Sequence, residues 1–214
     1  MKSPADIRFL ITAGPTREFL DPIRFLSNRS SGKMGYAIAE AAHMISKHVT
    51  LVSGPTALTP PQGAEFISVT TAQEMAEAVW GRFGVVDVCI MAAAVCDFRP
   101  KNKATSKIKK GAFEGTLELE PTPDILTELG RRKKSQVLVG FAAETDDIES
   151  KAREKLTRKG LDFIVANDAR AFDADTNQVA FIGREGEIER LPNLPKGEVA
   201  KAIVERAVRL LRGS

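Results

Sequence analysis

"VVDVCIMAAAV", residues 85–95, decides the architecture of this chain. It is apolar nearly throughout, as a strand covered on both faces at the centre of a parallel sheet must be. Working outward, similar short runs recur on both sides: "IRFLITAG" (7–14), "HVTLVSGP" (48–55), "EFISVT" (65–70), "QVLVGFAAET" (136–145) and "LDFIVAND" (161–168). Helical patterns lie between them. "MGYAIAEAAHMIS" (34–46) is amphipathic and alanine-rich, and "TAQEMAEAVWGRF" (71–83) opens on a capping box, with Thr71 at the N-cap and Glu74 three residues on. "TLELEPTPDILTELGRRKK" (116–134) gives a short strand and a helix entered through Pro123, and "DDIESKAREKLTRKG" (146–160) a charged helix closed by Gly160. "QVAFIGREGEIERL" (178–191) reads as a hairpin turning near Glu185-Gly186, before the amphipathic helix "KGEVAKAIVERAVRLL" (196–211). Strand–helix alternation with buried strands predicts an α/β fold: a doubly wound, Rossmann-like parallel sheet with helices on both faces and an added antiparallel hairpin near the C-terminus. No repeat, low-complexity stretch or linker divides the chain, so residues 1–214 are expected to form a single domain.

Composition narrows the function. No run approaches the roughly 18 apolar residues of a membrane helix, and the N-terminus lacks the pattern of a signal peptide, so a cytoplasmic protein without a membrane partner is expected. The net charge of +3 is only mildly basic. With one Trp and one Tyr there is no aromatic-and-basic strip for single-stranded nucleic acid, so small anionic substrates fit better and no nucleic-acid partner is expected. Cys89 and Cys96 fit no zinc spacing and are too few for a disulfide framework. His43 and His48 read as structural, and no metal-binding residues are predicted.

In open α/β sheets ligands lie beyond the carboxyl ends of the strands, and here those ends carry unusual polar loops: "TAGPTRE", "AAAVCDFRP", "FAAETDD" and "ANDAR". The glycine fingerprints fail in sequence. G-x-G-x-x-G does not follow the first strand, where Gly14 stands alone. The Walker pattern breaks at Ser27 and Met34. Yet "SNRSSGKMG" (27–35) leads straight into a helix, offering free N–H groups, hydroxyls and the positive end of the helix dipole to an anion through Ser30, Ser31 and Gly32. Plain N-capping by Ser30 or Ser31 is the alternative. Arg24 can fork onto a carboxylate or phosphate, and Asn28 both donates and accepts, although it could equally serve a turn. "KNKATSKIKKG" (101–111) holds five lysines and reads either as a solvated basic loop or as one able to close over a polyphosphate. Phe141 could pack on a base or ribose, or belong to the core. Lys155 and Lys159 share a helix face, for which solvation is the default.

Taken together, "ITAGPTREFLDPIRFLSNRSSGKMG", "AAAVCDFRP", "KIKK", "PTPDIL", "VGFAAET" and "KGLDFIVAND" occur in an order that closely resembles the phosphopantothenoylcysteine synthetase family, the ligases of coenzyme A biosynthesis. The resemblance runs from about residue 8 to about 190 and is to the bacterial, CTP-using type. It implies that 4′-phosphopantothenate attacks CTP to give an acyl-cytidylate and pyrophosphate, and that cysteine then displaces CMP to form 4′-phosphopantothenoylcysteine. It also implies Mg²⁺ carried with the nucleotide, and a homodimer in which one subunit completes the other's site. Carried over by position, Asn28 would stabilise the acyl-cytidylate with Arg24 supporting that segment, and Lys107 would bind the nucleotide phosphates and be required for the chemistry. Met91, Ala92, Ala93, Asp97, Thr122, Pro123, Asp124, Ile125, Leu126, Phe141, Lys155 and Lys159 would contact the nucleotide. Bacterial members are mostly fused behind a flavin-dependent decarboxylase, which nothing in these residues matches; a fused or separate decarboxylase is the expected partner. An ATP-using ligase and a degenerate Rossmann oxidoreductase are the competing readings. Two departures from the family pattern stand out: Ala13 where glycine is usual, and Cys96 where alanine is, the latter a possible point of oxidation.

Overall fold

The computed structural model describes residues 2–112, 115–144, 147–168 and 176–213. Eight strands form one sheet: β1 (Phe9–Ala13), β2 (Val49–Ser53), β3 (Glu65–Ser68), β4 (Val88–Met91), β5 (Val137–Glu144), β6 (Phe163–Asp168), β7 (Val179–Gly183) and β8 (Ile188–Arg190). Their order across the sheet is β3-β2-β1-β4-β5-β6-β7-β8. The first six run parallel, and β7 and β8 add the antiparallel hairpin at the edge. Gly186, at φ +88, makes the turn between β7 and β8.

Because successive side chains of a strand point to opposite faces, the apolar runs build two cores at once. Phe9 and Ile11 of β1, Val88 and Ile90 of β4, and Phe163 and Val165 of β6 face α1 (Lys33–His43) and α5 (Lys196–Gly213). The alternate residues Leu10, Cys89, Leu138 and Ile164 face α2 (Ala72–Phe83), α3 (Ile125–Arg132) and α4 (Ile148–Arg158). A fully buried side chain of this size contributes about 1.5–3 kcal/mol, which is why the central strands tolerate so little polarity. Helix ends follow their local chemistry. Thr71 and Glu74 form the reciprocal capping box of α2. Gly160, at φ +62, ends α4 in a Schellman turn in which Gly160 and Leu161 donate to the carbonyls of Thr157 and Leu156.

Two elements differ from the sequence reading. The strand expected in "TLELE" forms at Leu119–Pro121 but pairs with Phe98–Pro100 outside the main sheet, and Arg17–Phe19 pairs with Phe25–Ser27 in a hairpin directly after β1. Both pairs have strands of three residues with much exposed surface, too short for an alternation to register. Among the described residues no helix is long and apolar enough to cross a membrane.

The strand order β3-β2-β1-β4-β5-β6 places the topological switch between β1 and β4, whose onward connections leave on opposite faces of the sheet. A crevice opens above their carboxyl ends.

Candidate active site

That crevice is a cleft of about 610 Å³. Its floor is a glycine constellation that the sequence hides. Gly14 (φ +72) ends β1, Gly32 (φ +78) precedes α1, and a Cβ on Gly32 would lie 3.4 Å from the Gly14 Cα. A Cβ on Gly35 would fall 2.5 Å from that of Ala13, so α1 rests directly on β1. These are the roles of the three glycines in G-x-G-x-x-G: a tight turn, close ligand approach and helix–strand contact. Here the fingerprint is assembled in space, with the hairpin carried between its first and second glycines. Ala13 lies within β1, and among the described residues outside glycine only Asp147 takes a positive φ, so alanine is accommodated there.

Neither Ser30 nor Ser31 caps α1. Its N-cap is Gly32, with no side-chain cap, and Ser30 Oγ accepts the Gly32 N–H at 3.3 Å. The first turn therefore faces the cleft with backbone N–H groups that no side chain caps, beside both serines. Asn28 lies on the same rim and donates its Nδ2 to the carbonyls of Ala94 (3.2 Å) and Val95 (3.0 Å), tying this loop to the one after β4. Met91, Ala92, Ala93 and Asp97 line the adjoining wall. Thr12 Oγ1 fixes its start by accepting the Ala93 N–H at 3.1 Å.

Thr122 to Leu126 continue that wall. Thr122 donates its hydroxyl to the Cys96 carbonyl at 2.5 Å and its N–H to the Asp97 carbonyl at 2.9 Å. Pro123, Ile125 and Leu126 line the cleft with it. Asp124 caps α3 by accepting the Thr127 N–H at 3.1 Å, and it pairs with Lys159. Burial alone would raise the Asp124 carboxyl, but the Lys159 ammonium and the Thr127 hydrogen bonds outweigh it and hold it below its ordinary value. Lys155 donates to the Phe141 carbonyl at 2.8 Å, and both residues line the cleft. Solvation is thus the wrong default for these lysines; Lys159 is only 9% exposed.

Arg24 and Lys107 do not line the cleft. Arg24 forks onto Asp21 Oδ2 (Nε 3.0 Å, Nη2 2.6 Å) and donates Nη2 to the Ile108 carbonyl at 2.9 Å, while Asp21 accepts the Ile108 N–H at 3.2 Å. The peptide following Lys107 is therefore clamped to the hairpin tip. The Arg24 guanidinium holds the Asp21 carboxyl far below the usual carboxylate range. Lys107 itself is exposed.

Three cleft residues escaped the sequence reading: Asn167 at the end of β6, Asn177 on a short strand, and Lys196 at the start of α5. All three are buried. Asn167 sits inside "KGLDFIVAND", which did not single it out, whereas Asn177 and Lys196 stand outside every family motif quoted above. Ala169 and Arg170 of "ANDAR" and Thr145 of "VGFAAET" lie outside the described residues. Cys96 is buried and donates its thiol to the Thr16 carbonyl at 3.5 Å, and burial pushes the thiol up, which disfavours the reactive thiolate. Among the described residues no three His, Cys, Asp or Glu side chains gather as a metal cluster.

A doubly wound sheet with a glycine turn at the end of β1 and a cleft above its switch point defines a Rossmann-like α/β domain. More particularly, the chain belongs to the DNA/pantothenate metabolism flavoprotein C-terminal domain family, whose model matches residues 5–211. It is 51% identical to the coenzyme A biosynthesis bifunctional protein CoaBC of Bacillus subtilis, over 94% of this chain and 51% of that protein. The corresponding protein of Vibrio cholerae is 44% identical over 92% of this chain and 51% of its own length. The chain thus spans about half the length of these relatives. The crystal structure of the C-terminal domain of CoaBC superposes with a TM-score of 0.86 at 45% identity, covering 100% of both chains. A DNA/pantothenate metabolism flavoprotein from Streptococcus pneumoniae, 23% identical with a TM-score of 0.81 over 95% of this chain and 99% of its own, shares the fold.

Proposed function

We propose that this domain joins 4′-phosphopantothenate and L-cysteine, using CTP, through an acyl-cytidylate. The observation that carries the reading is the uncapped N-terminus of α1 at Gly32, opening on the cleft beside Asn28. Such an end, with its dipole and no side-chain cap, suits a phosphoryl group. The likeness to CoaBC proteins supports the substrate assignment.

In this reading Phe141 and the wall from Thr122 to Leu126 hold the nucleoside, and Ser30, Ser31 and the first turn of α1 take phosphate oxygens. The carboxylate of 4′-phosphopantothenate attacks the α-phosphorus and pyrophosphate leaves. Asn28, anchored on the Ala94 and Val95 carbonyls, is placed to stabilise the mixed anhydride. The cysteine amine, having lost one proton, then attacks the acyl carbon. The C–N bond forms, the C–O bond to phosphate breaks, CMP leaves with that electron pair, and a second proton departs as the amide forms. The cleft fits a Mg²⁺ ion brought with the nucleotide. Such an ion needs only one or two carboxylates besides phosphate oxygens and water, and Asp97 offers one while Asp124 is engaged by Lys159. It would neutralise phosphate charge.

Arg24 and Lys107 enter this scheme from a second copy of the chain. They are fastened together at Ile108, beside exposed Ile23, Phe25 and Phe98, an apolar surface that suits a homodimer. A decarboxylase, fused or separate, would supply the next step.

A mass-spectrometric assay tests the proposal, with 4′-phosphopantothenate, cysteine and Mg²⁺ supplied together with CTP or ATP. Phosphopantothenoylcysteine with CMP is the expected result. Product with AMP overturns the choice of nucleotide, and absence of product from folded protein overturns the ligase.

A further inference from the structure

The assignments above leave one wall of the cleft without a ligand, the wall made by Asn167, Asn177 and Lys196. It is assembled by a short antiparallel pair in which Asn177 sits opposite Leu194 and Thr176 opposite Pro195, so the residue before α5 lies against the strand carrying Asn177. Register fixes the rest. Asn167 pairs with Val179, and Asn177, two residues earlier, continues the same face, the one on which Phe141 and Leu194 pack toward α5. The result is a row of Phe141, Asn167 and Asn177 with the start of α5 beside it.

Two features of this wall are chemically unusual. Asn177 is only 5% exposed, and its Oδ1, shielded from water, meets no hydrogen-bond donor among the described residues. An unmet buried acceptor is destabilising, and a ligand bringing an N–H relieves it. Lys196 is a cation only 9% exposed at the first position of an 18-residue helix, where the helix dipole adds to its positive field. An acceptor awaiting a donor, next to a buried cation on a helix N-terminus, is complementary to a small group bearing an amine and a carboxylate.

We propose that Asn177 and Lys196 form the subsite of the amino-acid substrate, with Lys196 and the first turn of α5 binding its α-carboxylate and Asn177 Oδ1 accepting an N–H from its amine. The proposal rests on the ligase reading and adds the position of the third substrate. A neutral amide oxygen suits this role better than a carboxylate would. It orients the amine while favouring the ammonium form, which cannot attack an acyl carbon, less than a carboxylate would. Because the carboxylate and the amine are read by different residues, each can be tested separately.

The experiment compares L-cysteine with cysteamine, which keeps the amine and thiol but lacks the carboxylate, in wild type, Asn177→Leu and Lys196→Gln. Pyrophosphate release from CTP and 4′-phosphopantothenate without any amine serves as the readout of the first half-reaction. Lys196→Gln is expected to shrink the preference for cysteine over cysteamine about tenfold or more in kcat/KM, the loss of one charge-assisted contact. Asn177→Leu is expected to raise KM for both amines about tenfold and leave their ratio unchanged. In both variants pyrophosphate release persists. A cysteine/cysteamine ratio unmoved by Lys196→Gln, or a rise in KM for CTP in place of the amine, overturns the subsite. Asn177→Ala, which leaves space in place of an isosteric methyl pair, gives the same comparison if the leucine variant does not fold. Failure of the ligase reading looks different: wild-type protein would release no pyrophosphate that depends on 4′-phosphopantothenate.

Discussion

The floor of the cleft and the arm beyond it follow opposite rules. Along the floor, Ala13, Thr12, Met91 and Gly35 are buried, and Gly35 lies so close to Ala13 that no side chain fits between α1 and β1. In the arm, made of residues 17–27, 98–112 and 115–121, Ile23 is 60% exposed, Phe98 at the rim of the cleft is 54% exposed, and order comes from polar anchors. Asp21, Arg24 and Ile108 form the clamp, and buried Glu18 accepts the Ala72 N–H at 2.7 Å at the start of α2. Close packing gives the floor one rigid geometry. Hydrogen bonds to a loop give the arm a defined shape that still leaves apolar side chains exposed. The comparison teaches that the residues singled out by the resemblance fall into two sets: those that line the cleft, and a pair, Arg24 and Lys107, that stands outside it.

The largest test of that division is kinetic. Lys107→Gln should lower product formation by about 100-fold or more, the scale of losing a charge-stabilising group, with an unchanged melting temperature. Wild-type turnover would return Lys101–Lys110 to a solvated loop. Asn28→Asp should still form the acyl-cytidylate but convert it about 100-fold more slowly, because a carboxylate repels the anionic intermediate; acid-quenched single turnovers would reveal its accumulation. Mixing these two inactive variants sharpens the comparison. If the arm serves a second copy, mixed dimers regain activity, and if each chain uses its own Lys107 the mixture stays as inactive as its parts.

Smaller effects separate packing from clamp. Gly35→Ala overfills the α1–β1 contact and should cost about 1–3 kcal/mol in urea unfolding. Asp21→Asn should lower the melting temperature in a pH-dependent way. The folded carboxyl lies below its ordinary value of 3.8, so its contribution is fully present above that value and is lost as pH falls toward the folded one. The gap between wild type and variant should therefore be constant above about pH 5 and close on acidification; a gap that widens toward low pH would contradict the clamp.

How much of this was legible beforehand follows from the range of the interactions. "VVDVCIMAAAV" announced a central strand because burial on both faces leaves no room for polarity, and Thr71 and Glu74 announced a helix start because capping is local. The same holds for Gly160. The residues that resemblance brought to the cleft, from Ser30 to Lys159, sit in continuous motifs. By contrast the glycine fingerprint is split by a hairpin whose three-residue strands leave no periodic trace. Asn177 and Lys196 become neighbours only through the pairing of 176–177 with 194–195. Nor could spacing show that Asp21 and Arg24 grip Ile108, more than eighty residues away.

The sequence by itself determined the strand–helix alternation, the helix ends and the family of the cleft, since hydrophobic period, capping and contiguous motifs act over a few residues. Only the tertiary structure decided which glycines meet, that α1 is left uncapped by its serines, that Asn177 and Lys196 share the cleft, and that Arg24 and Lys107 stand outside. Those outcomes depend on contacts between segments distant along the chain, and such contacts exist only once the sheet has closed around its two cores.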